Sequence, residues 1–148
     1  MATTFETRIP ELHELQKFVS YYYFHSSDED TNKLSFSYYP HFKNAVTLYQ
    51  DSKVNLITPT HSNVTPEPGS FICAYAQMYT QFAKTEIHGK FQKIGIVFEP
   101  LGLNHFLDRP LSEIIHFELN CEFDYFEQNI APFRQHLSVH PLMKRFVY

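Results

Sequence analysis

The spacing of apolar residues in this chain changes at Pro100, and this change limits the folds open to it. Before Pro100, apolar and polar residues alternate over short stretches such as Lys33–Tyr39 and Phe91–Phe98, which is typical of strands. After Pro100, apolar residues recur about every 3.6 positions, which predicts short helices interrupted at Pro110. Strands followed by helices favour a mainly β domain with C-terminal helices over βαβ units.

The remaining strands are predicted from alternation and aromatic content, in the segments Val19–His25, Asn44–Gln50, Lys53–Thr58 and Ser70–Gln81. The second and third of these are expected to form a hairpin joined at Asp51-Ser52. Pro59–Gly69 contains three prolines and is interpreted as a surface loop, and Pro10–Lys17 as a short helix. About seven short strands in one domain indicate an antiparallel barrel or sandwich.

Length and charge narrow the class of protein. The length of 148 residues predicts a single domain, 1–148. The net charge is −4, so the chain lacks the excess of basic residues that binding to duplex nucleic acid requires. Cys73 and Cys121 match no zinc spacing, so we expect two free thiols in the cytoplasm. The first residues lack a secretory signal, and no apolar run is long enough to span a membrane.

Three segments occur in a recognisable order: Ile9–His25, Ser37–Gln50 and Phe91–Ile114. The third contains a strand of the form G-I-x-F-x-P-x-G followed by a helix of the form P-L-x-E-I, matched here by Gly95, Ile96, Phe98, Pro100, Gly102, Pro110, Leu111, Glu113 and Ile114. Together they resemble the N-terminal effector-sensing domain of AraC-type bacterial transcription regulators.

The resemblance implies a cupin-like antiparallel β-barrel (a double-stranded β-helix) over about residues 9–100, with a short N-terminal helix, and a helical region over about 101–148. It also implies a non-catalytic module that binds a small effector, dimerises and signals to a DNA-binding domain. That helix-turn-helix half is absent from this chain, so DNA would be reached only through a separate domain. The chain is then either the sensor half of a longer regulator or a stand-alone relative.

The alternative is a small stand-alone cupin-like enzyme, an isomerase or a metal-dependent oxygenase. A cupin metal site needs two histidines of an H-x-H pair on one strand face, and none of the nine histidines forms such a pair. His136 and His140 are four residues apart on a predicted helix, but no third ligand accompanies them. No nucleophile or phosphate-binding motif occurs. We therefore predict no metal, no cofactor and no catalytic residues.

Four residues are candidates for binding the effector: Tyr23, Tyr75, Gln77 and Glu99. Tyr23 belongs to an aromatic cluster that could line a cavity or form core and dimer surface. Gln77 lies with Tyr75 on an aromatic strand face, where its amide needs a partner from ligand, water or protein. Glu99 ends a strand, either at a barrel mouth or simply exposed.

The C-terminal segment carries an apolar patch formed by Leu142, Met143, Phe146 and Val147. Such a patch must be buried, either against the chain's own barrel or against a second copy. The helices that follow the barrel in AraC-type sensors commonly form a two-fold interface. The resemblance therefore favours a homodimer through these residues.

Overall fold

A computed structural model describes residues 3–40, 42–76, 81–115 and 125. Within them the chain is mainly β, with seven strands: β1 Thr4–Arg8, β2 Val19–Ser27, β3 Lys33–Tyr38, β4 Asn44–Thr58, β5 His61–Ala76, β6 Ala83–His88 and β7 Phe91–Phe98. The described helices are 3₁₀ turns at Leu15–Lys17 and Leu103–Phe106 and one short α-helix, α1, Leu111–Ile114. None of these helices has the length needed to cross a bilayer.

All seven strands belong to one curled sheet in the order β1-β2-β7-β4-β5-β6-β3, which forms a half-barrel. The antiparallel arrangement predicted from the sequence holds for every adjacent pair except one. His61–Val64 of β5 pairs in parallel with Lys84–Ile87 of β6, so the sheet is mixed. β6 begins beside the start of β5, where the Lys84 amide donates a hydrogen bond to the Thr60 carbonyl, and both strands run in the same direction. The edge strands β1 and β3 leave the sheet open in the described residues.

The hairpin predicted at Asp51-Ser52 is wrong, because β4 runs through this point without reversing. Asp51 has a left-handed φ of 51°, yet its neighbours Gln50 and Ser52 both pair with β5. The irregularity is a bulge, and the Asp51 carboxylate accepts a hydrogen bond of 2.8 Å from the Gly69 amide on β5. The chain reverses instead after Thr58.

The loop predicted over 59–69 is also wrong for most of its length, since β5 begins at His61. Pro66 lies opposite Ser52, where the register of β4 and β5 shifts. A proline can occupy such a position because its missing N–H is not required by the ladder at a bulge. The proline-rich composition indicated a loop, whereas the long pairing of β4 with β5 keeps this segment in the sheet.

The N-terminal helix predicted over Pro10–Lys17 is reduced to the 3₁₀ turn at Leu15–Lys17. Leu12 remains 64% exposed, so the apolar face that suggested the helix is buried only in part, towards Phe18, whose ring stacks on that of His105. β1 was not predicted; it is an exposed edge strand that pairs only with β2.

The two short helical segments predicted after Pro100 are confirmed, and Pro110 separates them. Their buried residues Leu103 and Ile114 pack on one face of the sheet, here called the outer face, against Val46 and Phe98. The C-terminal part of the predicted helical region, with the patch of Leu142, Met143, Phe146 and Val147, lies outside the described residues, as does Cys121. Cys73 is buried in the core on the outer face and is in no disulfide with another described residue.

Candidate ligand-binding site

The inner, concave face of the sheet encloses a cavity of about 980 Å³ that opens to solvent. Because side chains alternate between the faces of a strand, the residues that line it from β2, β4 and β7 are mostly alternate ones. Its walls are mainly aromatic and aliphatic, and the inner-face residues include Tyr21, Tyr23, His25, Phe36, Tyr38, Ala45, Thr47, Tyr49, Ala74, Ala76, Lys93 and Val97. This volume is in the range of small-molecule sites in proteins.

Lys93 lies on β7, in the centre of the sheet, and its side chain is only 4% exposed. Its ammonium group is 4.8 Å from the ring centroid of Phe36 and 5.7 Å from those of Tyr23 and Tyr49. Desolvation lowers the pKa of Lys93 from 10.5 to about 8. Aromatic faces attract a cation, but no carboxylate among the described residues forms an ion pair with Lys93.

Tyr23 crosses the middle of the sheet above Gly95. The two residues are direct partners between β2 and β7, and Gly95 also pairs with Thr47 on β4. The Tyr23 hydroxyl lies 2.7 Å from the Thr47 hydroxyl, so a hydrogen bond spans three strands. A Cβ atom at Gly95 would overlap Cε1 and Cζ of the Tyr23 ring. Glycine at position 95 is therefore what allows this tyrosine to form part of the cavity wall.

His25 is a second titratable group on the inner face, next to Lys93 across the β2–β7 pairing. It is 4% exposed, and its ring is in edge contact with the rings of Phe5, Phe36 and Phe91. Burial, with a smaller contribution from the charge of Lys93, lowers the pKa of His25 from 6.5 to about 4. The imidazole is therefore neutral near pH 7.

This neutral histidine predicts a loss of stability in mild acid. Between pH 6.5 and 4 the unfolded chain binds a proton at His25 that the folded chain does not, so unfolding is favoured as the pH falls. We expect a loss of about 2 kcal/mol between pH 7 and pH 5. Urea unfolding at both pH values should show the loss in wild type and in the exposed-site control His13→Phe, and a smaller loss in His25→Phe. An unchanged loss in His25→Phe would contradict the assignment.

Glu99 lies at the rim of the cavity, where its carboxylate is 3.2 Å from the ammonium group of Lys43. Lys43 also donates a hydrogen bond of 2.7 Å to the Ser20 hydroxyl. Hydrogen bonding from Lys43, with a further contribution from Ser20, lowers the pKa of Glu99. The pair neutralises the rim, since each charge has its counterion.

The sequence-predicted candidates separate into three groups. Tyr23 lies in the wall and Glu99 at the rim, so the sheet brings these two to the same cavity. Tyr75 borders the cavity, but it pairs with Val46 and belongs to the outer-face core, where its hydroxyl accepts a hydrogen bond of 3.2 Å from the Asn44 amide. Gln77 lies outside the described residues.

Sequence reasoning missed Lys93, although a signal was present. Lys93 is a lysine inside the most apolar strand of the chain, on the face opposite Ile94 and Ile96. A charged residue at a central, buried strand position must face either a partner or a cavity. Tyr49 and Phe36, which complete the aromatic surroundings, carried no comparable signal because aromatic residues in strands usually belong to a core.

The described part of the chain contains no group of three His, Cys, Asp or Glu side chains placed to hold a metal ion.

Comparison with known proteins identifies a family. Residues 7–120 match a family described as a domain of unknown function, DUF6597. The match covers most of the chain and includes the whole of strands β2 to β7. No curated protein and no solved structure matches the chain. This chain is therefore a member of the DUF6597 domain family.

Proposed function

We propose that the chain is a sensor module that binds a small organic effector in the cavity on the inner face of its sheet. The observation that supports this most directly is a cavity of about 980 Å³ that opens to solvent and is walled mainly by aromatic and aliphatic side chains. A few polar groups, among them Thr47, Thr85 and Lys93, face it from different strands. Apolar walls with a few fixed polar groups are typical of small-molecule sites.

The finer part of the proposal comes from the resemblance to AraC-type regulators. In it, the module is non-catalytic, forms a homodimer through Leu142, Met143, Phe146 and Val147, and signals to a separate DNA-binding domain. The fold offers a physical link for such a signal. β7 carries Val97 in the cavity wall and, one residue later, Phe98 in the core that holds Leu103 and Ile114. A shift of β7 on ligand binding would thus reach the helical segments.

The proposal predicts that filling the cavity abolishes ligand binding. Ala45 and Ala76 are direct partners on β4 and β5 and both line the cavity, so Ala45→Phe places a ring in the open space. Ile57→Phe adds bulk at an exposed position at the far end of β4 and serves as the control. Circular dichroism should first establish that both variants are folded.

Ligands are sought by thermal shift with a panel of aromatic and aliphatic acids, amides, amines and sugars, followed by isothermal titration calorimetry. A ligand at 100 times its Kd stabilises the folded state by about 2.7 kcal/mol, which a melting curve detects readily. We expect at least one compound class to bind wild type and Ile57→Phe in a 1:1 ratio and to lose binding to folded Ala45→Phe. Binding that survives in Ala45→Phe, or a panel without any binder, would refute the proposal.

A further inference from the structure

The charge inside the cavity is uncompensated within the described residues. The rim carries the mutually paired Lys43 and Glu99. Deeper in, the ammonium group of Lys93 is surrounded by the rings of Phe36, Tyr23 and Tyr49 and has no described acidic partner. The imidazole of His25, its partner on β2, is neutral near pH 7 and would repel Lys93 if it became protonated.

A buried ammonium group with aromatic neighbours and no counterion is a costly arrangement for the apoprotein. The interaction of the ammonium group with ring faces offsets only part of the hydration free energy that it loses on burial. A carboxylate at hydrogen-bond distance would supply the missing interaction, because charge-assisted hydrogen bonds are strong where water is excluded. A cationic ligand would instead meet repulsion from Lys93, so the charge of the site discriminates among ligands by sign.

The walls select for shape as well as charge. Tyr23 and Tyr49 flank Lys93 from the neighbouring strands β2 and β4, and Phe36 approaches from β3 across the curled sheet. Flat rings pack favourably against such side chains in offset or edge-to-face arrangements. The Tyr23 and Thr47 hydroxyls lie on the same wall and can exchange hydrogen bonds with polar substituents on the ligand.

We propose that the effector is a planar aromatic or conjugated carboxylate whose carboxyl group pairs with the ammonium group of Lys93. This inference rests on the proposed function, since it names the ligand class of the same cavity. It assigns Lys93 the role of the residue that determines specificity for an anion. Tyr23, Tyr49 and Phe36 hold the ring system.

The test compares two probes of nearly the same shape: 2-naphthoate, which is charged, and 2-naphthamide, which is uncharged and carries an NH₂ group in place of one carboxylate oxygen. Each is titrated calorimetrically into wild type, Lys93→Met and Lys53→Met. Methionine has a similar length to lysine but carries no charge, and Lys53 is an exposed lysine of β4 that does not line the cavity. The Ala45→Phe variant reports whether either probe occupies the cavity.

We expect wild type and Lys53→Met to bind naphthoate about tenfold or more tightly than naphthamide, as one charge-assisted contact implies. Lys93→Met should lose this preference and bind the two probes about equally. If naphthamide binds wild type as well as naphthoate does, or if the preference survives in Lys93→Met, the anion assignment is overturned while the cavity remains a binding site. If neither probe binds wild type, the assignment of aromatic carboxylates is overturned, and the compound panel decides separately on the proposed function.

Discussion

Gly95→Ala is expected to destabilise the fold by about 2–3 kcal/mol, a large effect for the addition of one methyl group. The new Cβ atom would occupy space taken by the Tyr23 ring, in a strand that is paired on both sides and has little freedom to shift. Tyr23 must then swing away, which breaks its hydrogen bond with Thr47 and moves the ring into the cavity. Urea unfolding measures the loss of stability, and ligand titration should show loss of binding.

The matched test is a double-mutant cycle with Tyr23→Ala. Without the tyrosine ring, the methyl group added at position 95 has room, and Gly95→Ala should cost little or even stabilise the strand, since alanine restricts the unfolded chain more than glycine does. Tyr23→Phe removes only the hydroxyl and should cost about 1 kcal/mol. Additive effects of Gly95→Ala and Tyr23→Ala would contradict the contact between them.

Lys93→Met is expected to stabilise the protein at pH 7 by on the order of 3 kcal/mol. The pKa of Lys93 is about 8 in the folded state against 10.5 for an ordinary lysine, so at pH 7 both states carry the charge and the folded state alone bears its desolvation. As the pH rises from 8 towards 10.5, the folded state releases its proton first. The contribution of Lys93 to the stability of wild type should therefore become about 2 kcal/mol more favourable between pH 7 and pH 9.5, which the difference between wild type and Lys93→Met measures.

The variant lacks this titration, so its advantage over wild type should shrink over the same range. Burial raises the pKa values of Tyr22 and Tyr38, so these groups act above pH 10 and do not disturb the comparison. Lys53→Met is the control for the loss of one charge and should follow the pH profile of wild type. A Lys93→Met variant less stable than wild type at pH 7, or an advantage independent of pH, would mean that the folded state compensates the charge of Lys93.

Together with the anion preference, these results would show that Lys93 has opposite effects on the stability of the fold and on ligand binding. A lysine that lowers stability and raises affinity for carboxylates is retained for binding, because a methionine would serve the fold better. Stability lost at binding sites is a common consequence of groups that are arranged for a ligand.

The local sequence pattern alone is sufficient to predict those strands whose two faces differ strongly in polarity. The alternation in Phe91–Phe98 predicts a strand with the observed bounds, and the alternation in Lys33–Tyr38 matches its observed exposure. Pro100 and Pro110 interrupt the backbone wherever they occur, since proline lacks the N–H and restricts its neighbours, so the change from strands to short helical segments can be predicted as well.

Asp51 and Pro66 show where local pattern fails. An Asp-Ser pair suggests a turn and a proline-rich segment suggests a loop, because both lower the cost of leaving a strand. Long-range pairing overrides these preferences: β4 and β5 pair on both sides of Asp51, and the bulge absorbs the misfit. The residue pattern around Asp51 does not show how strongly pairing with β5 stabilises this segment, because β5 begins further along the chain.

The cavity itself was decided at the tertiary level. The sequence alone determined that Tyr23 is in an aromatic strand, that Lys93 and Gly95 share a strand face, and that Glu99 lies at the end of that strand, directly after Phe98. It did not determine that β2, β7 and β4 lie side by side, with Tyr23, Gly95 and Thr47 in one row. Nor did it place Phe36 of β3 over Lys93, which needs the sheet to curl. Alternation along a strand is a local property, whereas strand order and sheet curvature depend on pairing between distant segments. Strand order and curvature together place the ammonium group of Lys93 among the aromatic side chains of Tyr23, Phe36 and Tyr49.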